Sequence, residues 1–274
     1  MNALRDHAEW RRIALGPGDR PLDLMTARFD RHRYAPHAHE EFAIGACTAG
    51  LESIRYRGAD HLAGPGTVVI LQPGEAHTGG PADACGMAYR VLYPMPDLVA
   101  EGVRSRPWFP DPVVYDPELA AALTRLHRDA EDGLRTESAL LCLFADLARR
   151  WAGARPADPA PGCHTIARAV RTRLADEPRT PPTLAEIAAG LGLSRWQVLR
   201  AFRAAEGMPP YAWLAQYRVT RARGLLDAGH RPAEAAALVG FADQAHLTRW
   251  FRRVLGVTPG AYRNSVQDAP LRPG

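Results

Sequence analysis

The sequence contains no lysine, so all 34 of its basic residues are arginine. No stretch approaches the roughly 18 consecutive apolar residues of a membrane-spanning helix, which excludes one. Cysteine is scarce, with four residues in 274, at positions 47, 85, 142 and 163. None stands in a CxxC pair, so a disulfide framework is not expected and the thiols read as reduced. The segment MNALRDHAEWRRIALG mixes acidic and basic residues and lacks an apolar core. It is therefore not expected to be a secretory signal, and a cytoplasmic location follows.

What is present is ordinary for a globular protein: 46% apolar and 23% charged residues. At about 150 residues per domain the length suggests two domains, each able to bury a core without staples. The charge is unevenly spread. Residues 163–274 hold 16 Arg against 8 acidic residues, a balance of +8, while residues 1–162 balance at −4. A polyanion is thus expected to meet only the C-terminal half.

Residues 20–115 read as short strands. Val68–Leu71 is a buried run, and Ile54 and Tyr56 alternate with Arg55 and Arg57, as Tyr89, Val91 and Tyr93 do with their neighbours. Gly58, Gly64, Gly66, Gly74, Gly79 and Gly80 punctuate them, the pattern of a sandwich or barrel. At Pro117 the period changes. Leu119, Leu123, Leu126 and Ala130, then Leu140, Leu141, Phe144, Leu147 and Trp151, follow helical spacing. The two helices either pack on the barrel or offer an apolar stripe to a second copy. Residues 152–162, with three Pro and two Gly, form a connector.

The C-terminal half repeats itself. Glu186, Gly192 and Leu193 match Glu234, Gly240 and Phe241 at an offset of 48. At an offset of 49, Val198, Arg200, Phe202, Arg203, Gly207, Pro210 and Trp213 match Leu247, Arg249, Phe251, Arg252, Gly256, Pro259 and Tyr262. Each unit reads as a helix-turn-helix. Thr183 with Glu186 makes a capping box, and Ser194 and Asp243 cap the second helices. Val198, Phe202, Leu247 and Phe251 face inward. Trp196, Leu199, Arg200 and Arg203 face outward in the first unit, and Gln244, Thr248, Arg249 and Arg252 in the second. A helix carrying Arg and Gln on its outer face suits the major groove, about 12 Å wide, where Arg reads guanine and Gln reads adenine. A linking helix over about Tyr211–Leu226 would span roughly 24 Å and hold the two recognition helices near one DNA turn apart.

The stretch Leu184–Arg263, and above all GFADQAHLTRWFRR at 240–253 with GVTPGAYR at 256–263, resembles the DNA-binding domain of the AraC/XylS family. The resemblance implies transcriptional regulation, usually activation, with base-facing positions at Trp196, Leu199 and Arg200 and at Gln244, Ala245 and Arg249. The stretches PHAHEEF at 36–42 and GTVVILQPGEAH at 66–77 resemble the cupin-like sensor domain of the same family. The fold so implied is α+β in two domains: a cupin-like β-barrel with following helices, then an all-α domain of two helix-turn-helix units joined by a long helix. The expected divisions are an effector-binding domain at 1–116, a dimerisation or relay segment at 117–151, the linker at 152–162, the DNA-binding domain at 163–265 and a tail at 266–274.

The barrel is expected to bind a small-molecule effector through His37, His39, Glu41, Tyr56, His77 and Tyr89. His37, His39 and His77 also resemble the cupin metal triad, and an HxH on one strand would put both imidazoles on one face. The fourth ligand of that pattern, a Glu four or five residues on, is replaced by Ala43 and Ile44. No metal or other cofactor is therefore expected, and the three histidines are its ligands only if one binds. The reading is a non-enzymatic, ligand-responsive regulator, with double-stranded DNA, an effector, RNA polymerase and a second copy as partners, and no membrane. The alternative is a metal-dependent cupin enzyme fused to a DNA-binding domain.

Overall fold

Strand β1 (His7–Ile13) pairs antiparallel with β2 (Leu22–Phe29), and the chain continues through β3 (Ala43–Gly50), β4 (Glu52–Tyr56), β5 (Ala59–Ala63), β6 (Thr67–Leu71), β7 (His77–Pro81) and β8 (Met87–Tyr93). After α1 (Pro96–Ala100) comes β9 (Val113–Tyr115). This computed structural model describes residues 6–16, 20–131, 133–154 and 162–267. Of the expected linker, residues 155–161 lie outside the described residues, as does the expected tail from residue 268.

The strands form a six-stranded sheet in the order β1-β2-β8-β3-β6-β9 and a three-stranded sheet in the order β5-β4-β7. Every pairing is antiparallel. Period-two alternation decides which side chains meet between the sheets. Met25, Ala27 and Phe29 of β2, Ile54 and Tyr56 of β4, Val69 and Leu71 of β6, and Met87, Tyr89 and Val91 of β8 form one buried cluster. The alternate residues Val68 and Ile70 are equally buried. They point to the other face of the sheet, against which α2 (Pro117–Asp129) packs.

Asp116 begins α2 by accepting from the Leu119 backbone N–H at 3.1 Å. The same carboxylate accepts from Arg150 and from Trp151 Nε1, both at 3.1 Å, tying the end of α3 (Leu134–Trp151) to the start of α2. Leu119 and Leu123 are buried, and Leu140, Leu141, Phe144 and Leu147 are each 1% exposed or less. Most of the apolar stripe considered for a second copy is thus buried within the chain, while Leu126 and Trp151 of it are half-buried.

The chain divides into two compact units, the second made of residues 160–193 and 198–274. The C-terminal unit is helical: α4 (Cys163–Asp176), α5 (Leu184–Leu191), α6 (Arg195–Glu206), α7 (Pro210–Asp227), α8 (Pro232–Val239), α9 (Gln244–Leu255) and α10 (Pro259–Gln267). The linking helix α7 is 18 residues long. Its Val219, Ala222 and Leu226 bury against Ala235, Ala236 and Val239 of α8 and Leu247 and Phe251 of α9. Gly192 and Gly240 end α5 and α8 in the left-handed conformation, at φ +64° and +92°, so the repeat inferred from the sequence is a repeat of helix ends.

Candidate effector cavity and DNA-recognition helices

The N-terminal unit encloses a cavity of about 390 Å³. His37, His39, Glu41, His77 and Tyr89 line it, as expected of them. Tyr56 does not. Its ring is buried in the core between the sheets, and its hydroxyl accepts from the Gln72 backbone N–H at 3.1 Å. Alternation indicated a buried face at Tyr56 but could not distinguish cavity from core.

Several lining residues were missed from the sequence. Tyr34, Glu52 and Tyr93 line the cavity, and so does Trp10, which stacks on Tyr93 with centroids 5.2 Å apart. The Tyr34 and Tyr89 hydroxyls lie 3.1 Å apart. Burial pushes the Tyr89 and Tyr93 hydroxyls well above their ordinary range and holds the Glu52 carboxyl up at about 7. The wall is thus aromatic and neutral over much of its area, with few polar atoms to orient a ligand.

His37 and His39 do not sit on one of the strands. His37 forms an isolated antiparallel bridge with His77: each backbone N–H donates to the other's carbonyl, at 3.0 and 2.9 Å. His39 continues the extended segment, and its carbonyl accepts from the Gly74 N–H at 2.8 Å. The HxH spacing still brings the rings together. Centroids of His37 and His77 are 4.3 Å apart, and those of His39 and His77 5.0 Å. Burial lowers the His39 ring below its ordinary value and takes His77 down to about 4, so His77 is neutral at pH 7. Of the nearby carboxylates, Glu41 lines the same cavity, whereas Glu75 and Glu40 are engaged elsewhere. Glu75 chelates the Arg57 guanidinium at 2.5 and 2.8 Å, and Glu40 pairs with Arg20 at 3.2 Å.

In the helical unit, each second helix of the repeat begins on a polar cap. Ser194 Oγ accepts from the Gln197 N–H at 3.2 Å, and Gln197 Oε1 accepts from the Ser194 N–H at 3.0 Å. Asp243 accepts from the His246 N–H at 2.6 Å. Thr183 and Glu186 form the expected capping box on α5. Val198, Phe202, Leu247 and Phe251 are fully buried. Helical spacing therefore turns Gln244, Ala245, Arg249 and Arg252 outward on α9, and all four are exposed. Thr248 is half-buried, and its hydroxyl donates to the Gln244 carbonyl at 2.8 Å. On α6, Arg203 is exposed while Trp196 and Arg200 are half-buried.

Leu199 departs from expectation. It is 0% exposed, so it is a core residue of α6 and not an outward one. It lies one position after Val198 and three before Phe202, both of which are fully buried. The inward arc of α6 is thus wide enough to take it in. The matched position on α9 is Thr248, so the two repeats fill this site differently.

A sheet domain with a cavity, followed by two capped helix-turn-helix units, is the architecture of a regulator with a ligand-binding domain and a DNA-binding domain. Residues 21–147 match the family model of the AraC-like ligand binding domain, and residues 187–265 match a helix-turn-helix domain. The chain belongs to the AraC family of transcriptional regulators. An uncharacterized HTH-type transcriptional regulator of Bacillus subtilis, YbfI, is 27% identical over 250 residues, covering 87% of this chain and 90% of that protein. RipA, an HTH-type transcriptional regulator of Corynebacterium glutamicum, is 36% identical over 120 residues, covering 44% of this chain and 36% of its own. Among solved structures, the DNA-binding domain of AdpA in complex with a target DNA is 32% identical, with a TM-score of 0.34, covering 37% of this chain and 92% of that one. The two family models and the curated relatives support a DNA-binding regulator and not the alternative of a metal-dependent cupin enzyme. Among the described residues no helix is long and apolar enough to cross a membrane.

Proposed function

We propose that this regulator responds to a small molecule held in the N-terminal cavity and reads DNA with α6 and α9 in successive major grooves. The observation that carries the reading is the α9 face: Gln244, Ala245, Arg249 and Arg252 stand exposed above fully buried Leu247 and Phe251. Arg249 and Arg200 read base edges, and Gln244 adds a second reader. Arg252 and Arg203 hold phosphates, which sets affinity without sequence. The effector acts to the extent that it binds two states of the protein with different affinity. The protein works in the cytoplasm as a homodimer and activates transcription through contact with RNA polymerase.

The test is a titration of full-length protein against the DNA upstream of its own gene, with a scrambled control, at several salt concentrations. A clear affinity gap at matched salt supports the reading. Equal and steeply salt-dependent binding to both would reduce the helical unit to phosphate binding.

A further inference from the structure

Glu52 opens β4 on the face of that strand where Ile54 and Tyr56 belong to the apolar core. It lines the cavity and is only 9% exposed. Among the described residues no hydrogen bond or ion pair engages its carboxyl. A Cβ built on Gly79 of β7 would stand 3.1 Å from Glu52 Oε1 and 3.9 Å from the Tyr34 ring. The carboxyl therefore lies beside that ring, in the cavity wall they share. Burying an acid without a partner is unfavourable, and neither strand pairing nor core packing requires one here. An unpartnered acid at the wall of a ligand cavity points to a group brought in from outside.

The rest of the wall sets the charge of that group. The chain has no lysine, and among the described residues no arginine lines the cavity. No permanent cation thus waits there for an anionic ligand, and His77 is neutral at pH 7. Asp23 and Glu41 line the cavity as well. Asp23 already holds the Arg12 guanidinium at 2.6 and 2.8 Å, whereas Glu52 holds nothing comparable. Trp10, Tyr34, Tyr89 and Tyr93 supply the aromatic surface over which a cation is favoured.

We infer that the cavity takes a protonated amine with an apolar body, its ammonium group on the Glu52 carboxylate and its body among the aromatic rings. An ammonium has N–H donors to spare beyond the carboxylate. The Tyr34 and Tyr89 hydroxyls, 3.1 Å apart, offer acceptor oxygens near it. A cation beside Glu52 favours the ionised carboxyl against the burial that disfavours it. The volume of about 390 Å³ stands toward the small end of ligand pockets, about 300–1,000 Å³, so it suits one small amine. That such an amine is the effector rests on the proposed function, whereas its binding in the cavity does not.

Full-length protein is titrated calorimetrically at neutral pH and fixed salt with phenylpropylamine, phenylpropanol and phenylpropanoate, and with hexylamine, hexanol and hexanoate. Within each series the body is shared and only the charge of the head changes. In the series that binds, the amine should be tightest, the alcohol weaker by about tenfold or more, and the carboxylate weakest. Tenfold or more is what a hydrogen bond to a charged group contributes. Glu52→Gln should remove most of the amine's advantage and leave the alcohol at its parent affinity, with folding checked by circular dichroism. The order in the parent needs no variant, so it decides the ligand class even where Glu52→Gln misfolds. An alcohol or carboxylate that binds as tightly as the amine, binding by none of the six probes, or a full amine advantage in folded Glu52→Gln overturns the amine site. Operator affinity is then compared with and without the tightest probe. An amine bound through Glu52 that leaves operator affinity unchanged upholds the amine site and counts against the cavity as the effector site. An alcohol or carboxylate that binds tightest and shifts operator affinity overturns the amine site and leaves the proposed function intact.

Discussion

Arg218 on α7 donates its Nε–H to the carbonyl of Pro178 at 2.7 Å. The same stretch of chain lies against the α8–α9 turn, because a Cβ built on Gly240 would stand 2.8 Å from that carbonyl. One peptide is thus held between the linking helix and the second helix-turn-helix. Burial lowers the Arg218 guanidinium to about 10, still charged at pH 7. Although it is one of the arginines of the basic half, Arg218 acts as an internal strut. Arg218→Ala should lower stability by roughly 1.5–3 kcal/mol, the range for a hydrogen bond to a charged group. Denaturant unfolding measures this, and the slope of log affinity against log salt should stay that of the parent.

Gly192 and Gly240 occupy matched places in the repeat but differ in surroundings. A Cβ on Gly192 meets nothing within 4 Å, whereas one on Gly240 would lie 2.6 Å from Arg179 Cα. Gly192→Ala should therefore cost only the left-handed conformation, about 1–2 kcal/mol. Gly240→Ala adds a backbone clash and should cost clearly more. Equal losses in thermal unfolding would contradict the close approach.

Leu199 and Arg249 separate stability from readout. Leu199→Ala should destabilise by about 2–5 kcal/mol, as for other buried leucines, and leave operator preference unchanged in the folded fraction. Arg249→Ala should leave stability unchanged and cost about 1–3 kcal/mol of operator binding, with specificity relaxed locally. Arg252→Ala should weaken all sequences alike and flatten the salt slope by about one unit. Competition binding against single-base operator variants distinguishes these outcomes.

Glu52 gives the N-terminal unit a pH signature. Burial raises its carboxyl from the ordinary 4.5 to about 7. The folded state then holds a proton that the unfolded chain has released, so the contribution is fully present below about pH 4.5 and is lost as pH rises through 7. A shift of this size corresponds to at most roughly 3 kcal/mol. The unshielded charge would form among Tyr34, Tyr89, Tyr93 and Cys47, whose own protons it also holds on. His77 and His127, both held down to about 4, raise stability with pH in the same window, so the Glu52 contribution is read as the difference between parent and Glu52→Gln, which should change between those pH values. A parent-to-variant difference that stays constant with pH would show that Glu52 does not titrate in this range.

Much of the architecture was legible because it depends on local chemistry. The capping residues Thr183, Ser194 and Asp243, the turn at Gly240 and the inward pairs Val198–Phe202 and Leu247–Phe251 act within a few residues of themselves. The missed elements lack such a signal. Strand β1 is exposed over six of its seven residues, so it has no alternation to read, yet it brings Trp10 to the cavity. Leu199 was misplaced because an apolar residue at the edge of a helical face goes in or out according to what packs there.

The sequence by itself determined the two-part division, the duplicated helix-turn-helix, the basic half and the family, since each rests on periodicity, capping chemistry or charge that no distant contact alters. The tertiary structure alone decided which buried aromatics face a cavity and which fill the core. It also decided that most of the apolar stripes of α2 and α3 is buried within the chain. Only in three dimensions do the rings of His37, His39 and His77 meet, with the His77 centroid 4.3 Å from His37 and 5.0 Å from His39. Burial and convergence depend on residues far apart in the chain, and side-chain pattern carries no record of what the backbone of another segment will present.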